Sequence, residues 1–192
     1  FYIRPEVPQE GFASHFYRIT DKETLASLFH KKRALGEEIF PLTGKAFTSI
    51  SEKKLFEKKA FLESGWARWQ REKIWKKPGN LNSFHDFIKT YKPELILLYA
   101  SRSAFMIRLA TDISIQYGIP FIVFTGEDEY FHKVPWYQFY SRKCLKNLKK
   151  AYEYAASNAA KFVLTHEKLA HLFENELHVS TETIYQASGM AF

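Results

Sequence analysis

The stretch IPFIVFTGEDEYFH, residues 119–132, bears on the fold in its first half and raises a question in its second. Ile119 to Phe124 is an apolar run of strand length with no polar alternation, as in a parallel strand buried on both faces. Directly after it stand Gly126, Glu127, Asp128 and Glu129. Three carboxylates where a buried strand meets solvent fit a helix cap, a solvated loop or the rim of a binding site.

Working outward, the same grammar repeats. ELILLYA (94–100) reads as a second continuous strand, buried on both faces. SRSAFMIRLATDISIQYG (101–118) is a helical pattern that stops at Gly118. Tyr137 to Asn158 forms a long basic helix, KFVLT (161–165) a strand, HEKLAHLFENEL (166–177) a helix and ETIYQAS (182–188) a last strand. Strand and helix in alternation predict an α/β fold, a Rossmann-like open parallel sheet with helices on both faces. Upstream, Ser83 to Tyr91 reads as a helix, and Glu38 to Leu42 and Phe1 to Ile3 as strands. Phe12 to Leu35 follows a helical pattern, with Phe16, Ile19, Leu25, Leu28 and Phe29 as core candidates; Thr20 or Asp21 is able to cap a new start within it.

Residues 45–79 differ in character. Between 45 and 77, ten Lys or Arg face four Glu, an excess of +6 in a chain whose formal charge is +7. Leu55, Leu62, Trp66 and Trp69 fall on one helical stripe. This basic helical insertion suits an anionic membrane surface met by Lys53, Lys54, Lys58, Lys59, Trp66 and Trp69. It equally suits a helix packing its Trp stripe on the domain with its charges in water. Nucleic acid is an unlikely partner, since basic charge comes without a recognised binding motif.

The remaining composition sets bounds. The 192 residues are 46% hydrophobic, enough for one α/β domain, and no apolar run is long enough to span a membrane. A lone cysteine, Cys144, lies in a helical pattern and suits packing; no internal disulfide is possible, which points to a reducing cytoplasm. The chain opens without Met, so residues before Phe1 are expected. No spacing of His, Cys, Asp and Glu suggests a metal, and neither GxGxxG, Walker nor GxSxG sequences occur.

In open parallel sheets, ligands gather beyond the carboxyl ends of the strands. That rule selects Gly11 to Ser14, Ser101 to Ser103, Gly126 to Glu129 and His166. Gly11 before a helix admits a phosphate to the helix N-terminus or serves as a turn glycine. Ser101 reads as an N-cap. Arg102, a positive charge at a helix start, is explained by pairing with a carboxylate such as Glu127 or by an anionic ligand. His166 reads as an N-terminal helix residue.

In order along the chain, EGFASHFYRI, ALGEEIFPLTG, the unit from YKPELILLYA to GIPFIVFTGEDE, NAAKFVLTHEKLAHLF and TIYQASGM resemble the N-terminal domain of GT-B glycosyltransferases, the family 4-like retaining group. The resemblance covers most of the chain outside 45–77. It implies that 1–192 is a single Rossmann-like domain, the acceptor-side half of a retaining glycosyltransferase whose C-terminal nucleotide-sugar half lies outside this chain. It implies a nucleotide-sugar donor, a glycan or lipid-linked sugar acceptor, transfer without metal or cofactor, and a cytoplasmic site, peripheral at the inner membrane face. Gly11 and Ser14 match the loop that meets donor phosphates, though Glu10 fills the place of the family's first glycine. Glu127 and Asp128 occupy the position of the family's sugar-binding acid, without its usual His; Arg102, His132 and Trp136 join them as substrate-binding residues. Two rival readings remain: a non-catalytic α/β module docking on anionic membranes, and half of a sugar-nucleotide epimerase.

Overall fold

Chain order and sheet order coincide in the parallel sheet. The structure, a computed structural model, describes residues 15–27, 34–40, 64–76 and 79–184. The chain divides into two units, Phe1–Lys92 and Pro93–Phe192, each described on its own below.

The second unit holds four strands, β3 (Ile96–Tyr99), β4 (Phe121–Thr125), β5 (Lys161–Leu164) and β6 (Thr181–Thr183), in the order β3-β4-β5-β6 and all parallel. The connections are α4 (Ala104–Tyr117), α5 (Phe139–Ala156) and α6 (Glu167–Leu177). This is an α/β unit of Rossmann-like kind. Parallel crossovers share one hand, so a sheet that grows steadily in one direction receives every helix on the same side. One cluster shows it. Leu98, Phe121, Val123, Phe162 and Leu164 from the strands bury with Ile107 of α4, Leu148 and Tyr152 of α5, and Leu169 and Phe173 of α6. The Tyr152, Phe162 and Phe173 rings meet pairwise with centroids 5.6 to 6.5 Å apart. At about 25 cal/mol per Å² of apolar surface, and with ring pairs adding about 0.5–1.5 kcal/mol each, these aromatics dominate the core.

The opposite face corrects two expectations. Among the described residues the crossover helices do not cover both faces of the sheet. Nor is β3 buried on both faces: Leu97 and Tyr99 are 69% and 66% exposed. An apolar run of strand length reports strand, but its side chains alternate between faces, and here only the even-numbered ones meet helices. Among the described residues β3 is also an edge strand of this sheet.

Helix ends follow local chemistry. Gly118, at φ 65°, closes α4 in the left-handed conformation, its N–H donating to the Ser114 carbonyl. The N-cap of α4 is Ser103, not Ser101, and its side chain makes no capping hydrogen bond. His166 caps α6, its Nδ1 accepting from the Leu169 N–H at 3.1 Å.

In the first unit, β1 (Phe16–Arg18) pairs antiparallel with β2 (Glu37–Ile39). This corrects the helical reading of 12–35. Phe16 and Ile19 are spaced for a helix, but Tyr17 and Ile19 are buried at strand spacing, and Leu25 is exposed. The interruption at Thr20 does occur. The Thr20 N–H donates to Glu23 at 2.7 Å and the Glu23 N–H to Thr20 Oγ1 at 3.3 Å, a reciprocal cap that starts α1 (Asp21–Ser27). β2 joins this two-stranded sheet, not the parallel one. Gly36, at φ 80°, lies so close to β1 that a Cβ there would stand 2.5 Å from the Arg18 carbonyl oxygen.

Of the basic segment, the described part is α2 (Gly65–Lys76), followed by α3 (Asn82–Tyr91). α2 is tied to α1 by Asp21, which accepts from Trp75 Nε1 at 2.7 Å and Arg71 Nε at 2.9 Å. Trp75 is therefore the buried ring of the helix, while Trp66 is exposed. Trp69 is half-buried and carries Lys73 Nζ 3.6 Å from its ring centroid. Phe1 to Ile3, Gly11, Ser14, Lys53, Lys54, Lys58, Lys59 and Tyr185 to Ser188 lie outside the described residues.

Two substitutions test this account. Phe173→Ala, which removes a fully buried ring, is expected to lower unfolding free energy by about 3–5 kcal/mol in urea titrations. Gly36→Ala is expected to cost about 1–3 kcal/mol from backbone strain alone, read the same way.

Candidate functional site

Three loops meet at the carboxyl edge of the parallel sheet: the loop after β3, the loop after β4 and the loop after β5. Thr125 is the last residue of β4 and Thr165 follows β5 directly. Thr165 Oγ1 donates to the Gly126 carbonyl at 3.4 Å, tying the second loop to the third. Thr125 Oγ1 donates to the Glu127 carbonyl at 3.3 Å, so the chain turns as soon as it leaves the strand. The Phe131 N–H then donates to the Asp128 carbonyl at 2.8 Å, closing a further turn. That second turn points Glu129 inward and leaves Glu127 and Asp128 exposed.

Arg102, from the loop after β3, donates through Nε to Glu129 Oε1. The expected partner was Glu127; the turn at Asp128–Phe131 makes it Glu129 instead. The Glu129 side chain is 9% exposed and that of Arg102 58%, so the guanidinium sits between a nearly buried carboxylate and solvent. Below them, buried Tyr152 donates to Thr125 Oγ1 at 3.4 Å. Burial pushes the Tyr152 hydroxyl up to about 12, opposed by the Thr125 hydrogen bond and assisted by the charges of Glu129 and Glu127. Tyr152 is therefore neutral at the floor of the rim.

Glu127 and Glu129 form a carboxyl pair. A hydrogen bond to Glu129 raises the pKa of Glu127 above its ordinary 4.5; desolvation and the charges of Glu129 and Asp128 add to this, while Arg102 opposes it. Glu127 is the exposed carboxyl of the two, beside one held by the Arg102 guanidinium. Carboxyls beside a guanidinium suit polyhydroxylated ligands, whose hydroxyls donate to the acids and accept from the cation.

The other expected site residues fall as follows. Asp128 caps no helix; its carbonyl serves the turn, and the next helix begins only at Phe139. His132 and Trp136 are exposed further along the same loop, and no hydrogen bond or ion pair joins their side chains to the acids. His166 is spent on capping α6. The sequence reading passed over Glu129, Thr125, Thr165 and Tyr152 as individual participants. A usable signal existed, since both FIVFT and KFVLT end on threonine at the same edge of the sheet. Among the described residues, no group of three or more His, Cys, Asp or Glu side chains is placed to hold a metal, and no helix is long and apolar enough to cross a membrane.

In comparisons of the chain with protein-family models, curated proteins and solved structures, none matches. The chemistry of the rim therefore stands on its own geometry.

A carboxyl whose folded pKa is raised favours folding at low pH, and that contribution is lost as pH rises through the folded value. In a carboxyl-carbon NMR titration, Glu127 is expected to titrate above 4.5, and in Glu129→Gln to fall back toward that ordinary value. An unchanged Glu127 titration would show that Glu129 is not its partner. Arg102→Gln is expected to cost about 1–2 kcal/mol of stability at neutral pH by leaving Glu129 without its cation, and Glu129→Gln in the same chain to restore most of it.

Proposed function

We propose that this chain is the acceptor-side half of a retaining GT-B glycosyltransferase, which moves a sugar from a nucleotide-sugar donor to a glycan or lipid-linked acceptor. The observation that carries the reading is the Arg102–Glu129 pair at the carboxyl edge of a parallel sheet, with Glu127 and Asp128 exposed in the same loop. The rim occupies the place where such sheets take their ligands. Its mixed donor and acceptor character matches sugar hydroxyls. In this reading Glu127 and Asp128 hydrogen-bond the acceptor, with Arg102 setting the pair and His132 and Trp136 flanking the ring. Gly11 and Ser14 approach the donor phosphates, and residues 45–79 form an insertion in the same half, its lysines and Trp66 and Trp69 turned to the inner membrane face. The second, nucleotide-sugar half is supplied by sequence beyond this chain, transfer proceeds without a metal, and the enzyme works in the cytoplasm.

The test uses the whole protein that carries this chain, supplied with nucleotide-sugar donors and candidate acceptors. Glu127→Gln is expected to lower kcat/KM for transfer by about ten- to a hundredfold, the worth of a hydrogen bond to a charged group, with little change in thermal unfolding. Transfer at the wild-type rate would remove Glu127 from the site. No transfer from any nucleotide-sugar by the wild-type protein would overturn the reading itself.

A further inference from the structure

The loop that leaves the acidic rim ends in a cluster of exposed rings. Trp136, Tyr137, Phe139 and Tyr140 are 81%, 68%, 58% and 37% exposed. Burial of apolar surface drives folding, so four large rings held in water within five residues are a cost the fold does not recover internally. The cluster is ordered by its own contacts. Trp136 meets Tyr137 edge-on at 6.1 Å, Phe139 meets Tyr140 at 5.5 Å, and Arg142 Nη1 donates back to the Trp136 carbonyl at 3.5 Å.

The helix that follows continues the surface. α5 buries Cys144, Leu148, Ala151, Tyr152 and Ala155 against the core. At 100° per residue, the opposite side of the helix carries Phe139, Arg142, Lys143, Lys146, Lys149 and Lys150. Lys143 Nζ lies 4.2 Å from the Phe139 ring centroid, which joins the rings to the cations. Arg142, Lys146, Lys149 and Lys150 also line a shallow groove of about 340 Å³ with Val134 and Leu145, and Glu153 is the one acid on its wall.

We propose that this surface, Trp136 to Lys150, docks the protein on an anionic lipid bilayer. Charge decides the occupant. Rings alone would suit a sugar or a protein groove, but rings of Trp, Tyr and Phe continued by five cations match the two layers of a lipid interface. The rings, with their apolar bodies and polar edges, settle at headgroup level. The cations meet lipid phosphates, each near the surface strengthening attraction to an anionic leaflet. The groove takes a phosphorylated headgroup between Arg142, Lys146 and Lys150. The site is separate from the Glu127–Glu129 rim and does not depend on the reading given to it.

The test is flotation of the chain with vesicles of phosphatidylcholine alone and of phosphatidylcholine mixed with phosphatidylglycerol. Binding is expected only to the mixed vesicles, and to weaken as salt is raised. Gln at Lys143, Lys146 and Lys150 together is expected to lower partitioning about a hundredfold, while Arg at the same three positions retains it. Trp136→Ala with Phe139→Ala is expected to lower it about tenfold. All five substituted positions are exposed, so thermal unfolding should not change. Equal binding to neutral vesicles, or undiminished binding by the Gln variant, would overturn the proposal. So would a neutral oligosaccharide that quenches Trp136 fluorescence and displaces the chain from vesicles, since the rings would then be a sugar platform.

Discussion

A sheet that adds strands in chain order, always on the same side, is the constraint from which the second unit follows. Like-handed crossovers place α4, α5 and α6 on one face, and the Phe121–Phe162–Phe173–Tyr152 cluster is the interior they enclose. The loops after β3, β4 and β5 then leave the sheet along one edge. Arg102 and Glu129 are distant in sequence and adjacent in space for this reason alone. The core and the rim also share Tyr152, whose ring packs on Phe173 and whose hydroxyl reaches Thr125. Packing thereby sets the height at which the acidic loop departs.

The rim combines two electrostatic arrangements that work against each other. Arg102 favours the ionised form of its neighbours, and proximity of Glu127 to Glu129 opposes it. The outcome is a nearly buried carboxyl paired with a cation and an exposed carboxyl beside it whose pKa is raised. The exposed rings and cations of the next segment form a second chemistry, set off from the first by the turn that begins at Asp128. The acids of the rim and the first of the rings lie in the connection between β4 and α5, while Arg102 comes from the loop after β3 and the cations stand on α5 itself. Such connections are where an α/β scaffold tolerates length and irregularity without disturbing its sheet.

Much of the architecture was legible in the sequence where one local cause acts alone. Gly118 ends its helix because a residue in the left-handed conformation is needed there. Thr20 starts one because its hydroxyl and Glu23 satisfy each other's backbone. Three strands of the parallel sheet, β3, β4 and β5, were visible as apolar runs; β6 is the polar stretch Thr181–Thr183, only overlapping the expected 182–188. What the runs do not encode is which face is covered, as Leu97 and Tyr99 show, because that depends on where distant helices land. Phe16 to Arg18 misled because its apolar residues suit both helical and strand spacing, and pairing with Glu37 to Ile39 decided between them. At the rim, the edge and its acids were legible, but the choice of Glu129 over Glu127 as the partner of Arg102 was not. That choice rests on a single backbone turn, closed by the Phe131 N–H on the Asp128 carbonyl.

The exposure of β3 has a bearing on solubility. Among the described residues ILLY, residues 96–99, lies at a sheet edge with no charge and no proline inside it, the composition of segments that pair with copies of themselves. Lys92, Pro93 and Glu94 stand before it, separated from it by Leu95 alone. Two charges and a residue without an N–H are the means by which chains discourage such pairing from running past a strand's end. Those three positions act as gatekeepers, so a change at Lys92 or Glu94 that leaves the fold untouched would still show itself in the concentration at which the protein stays in solution.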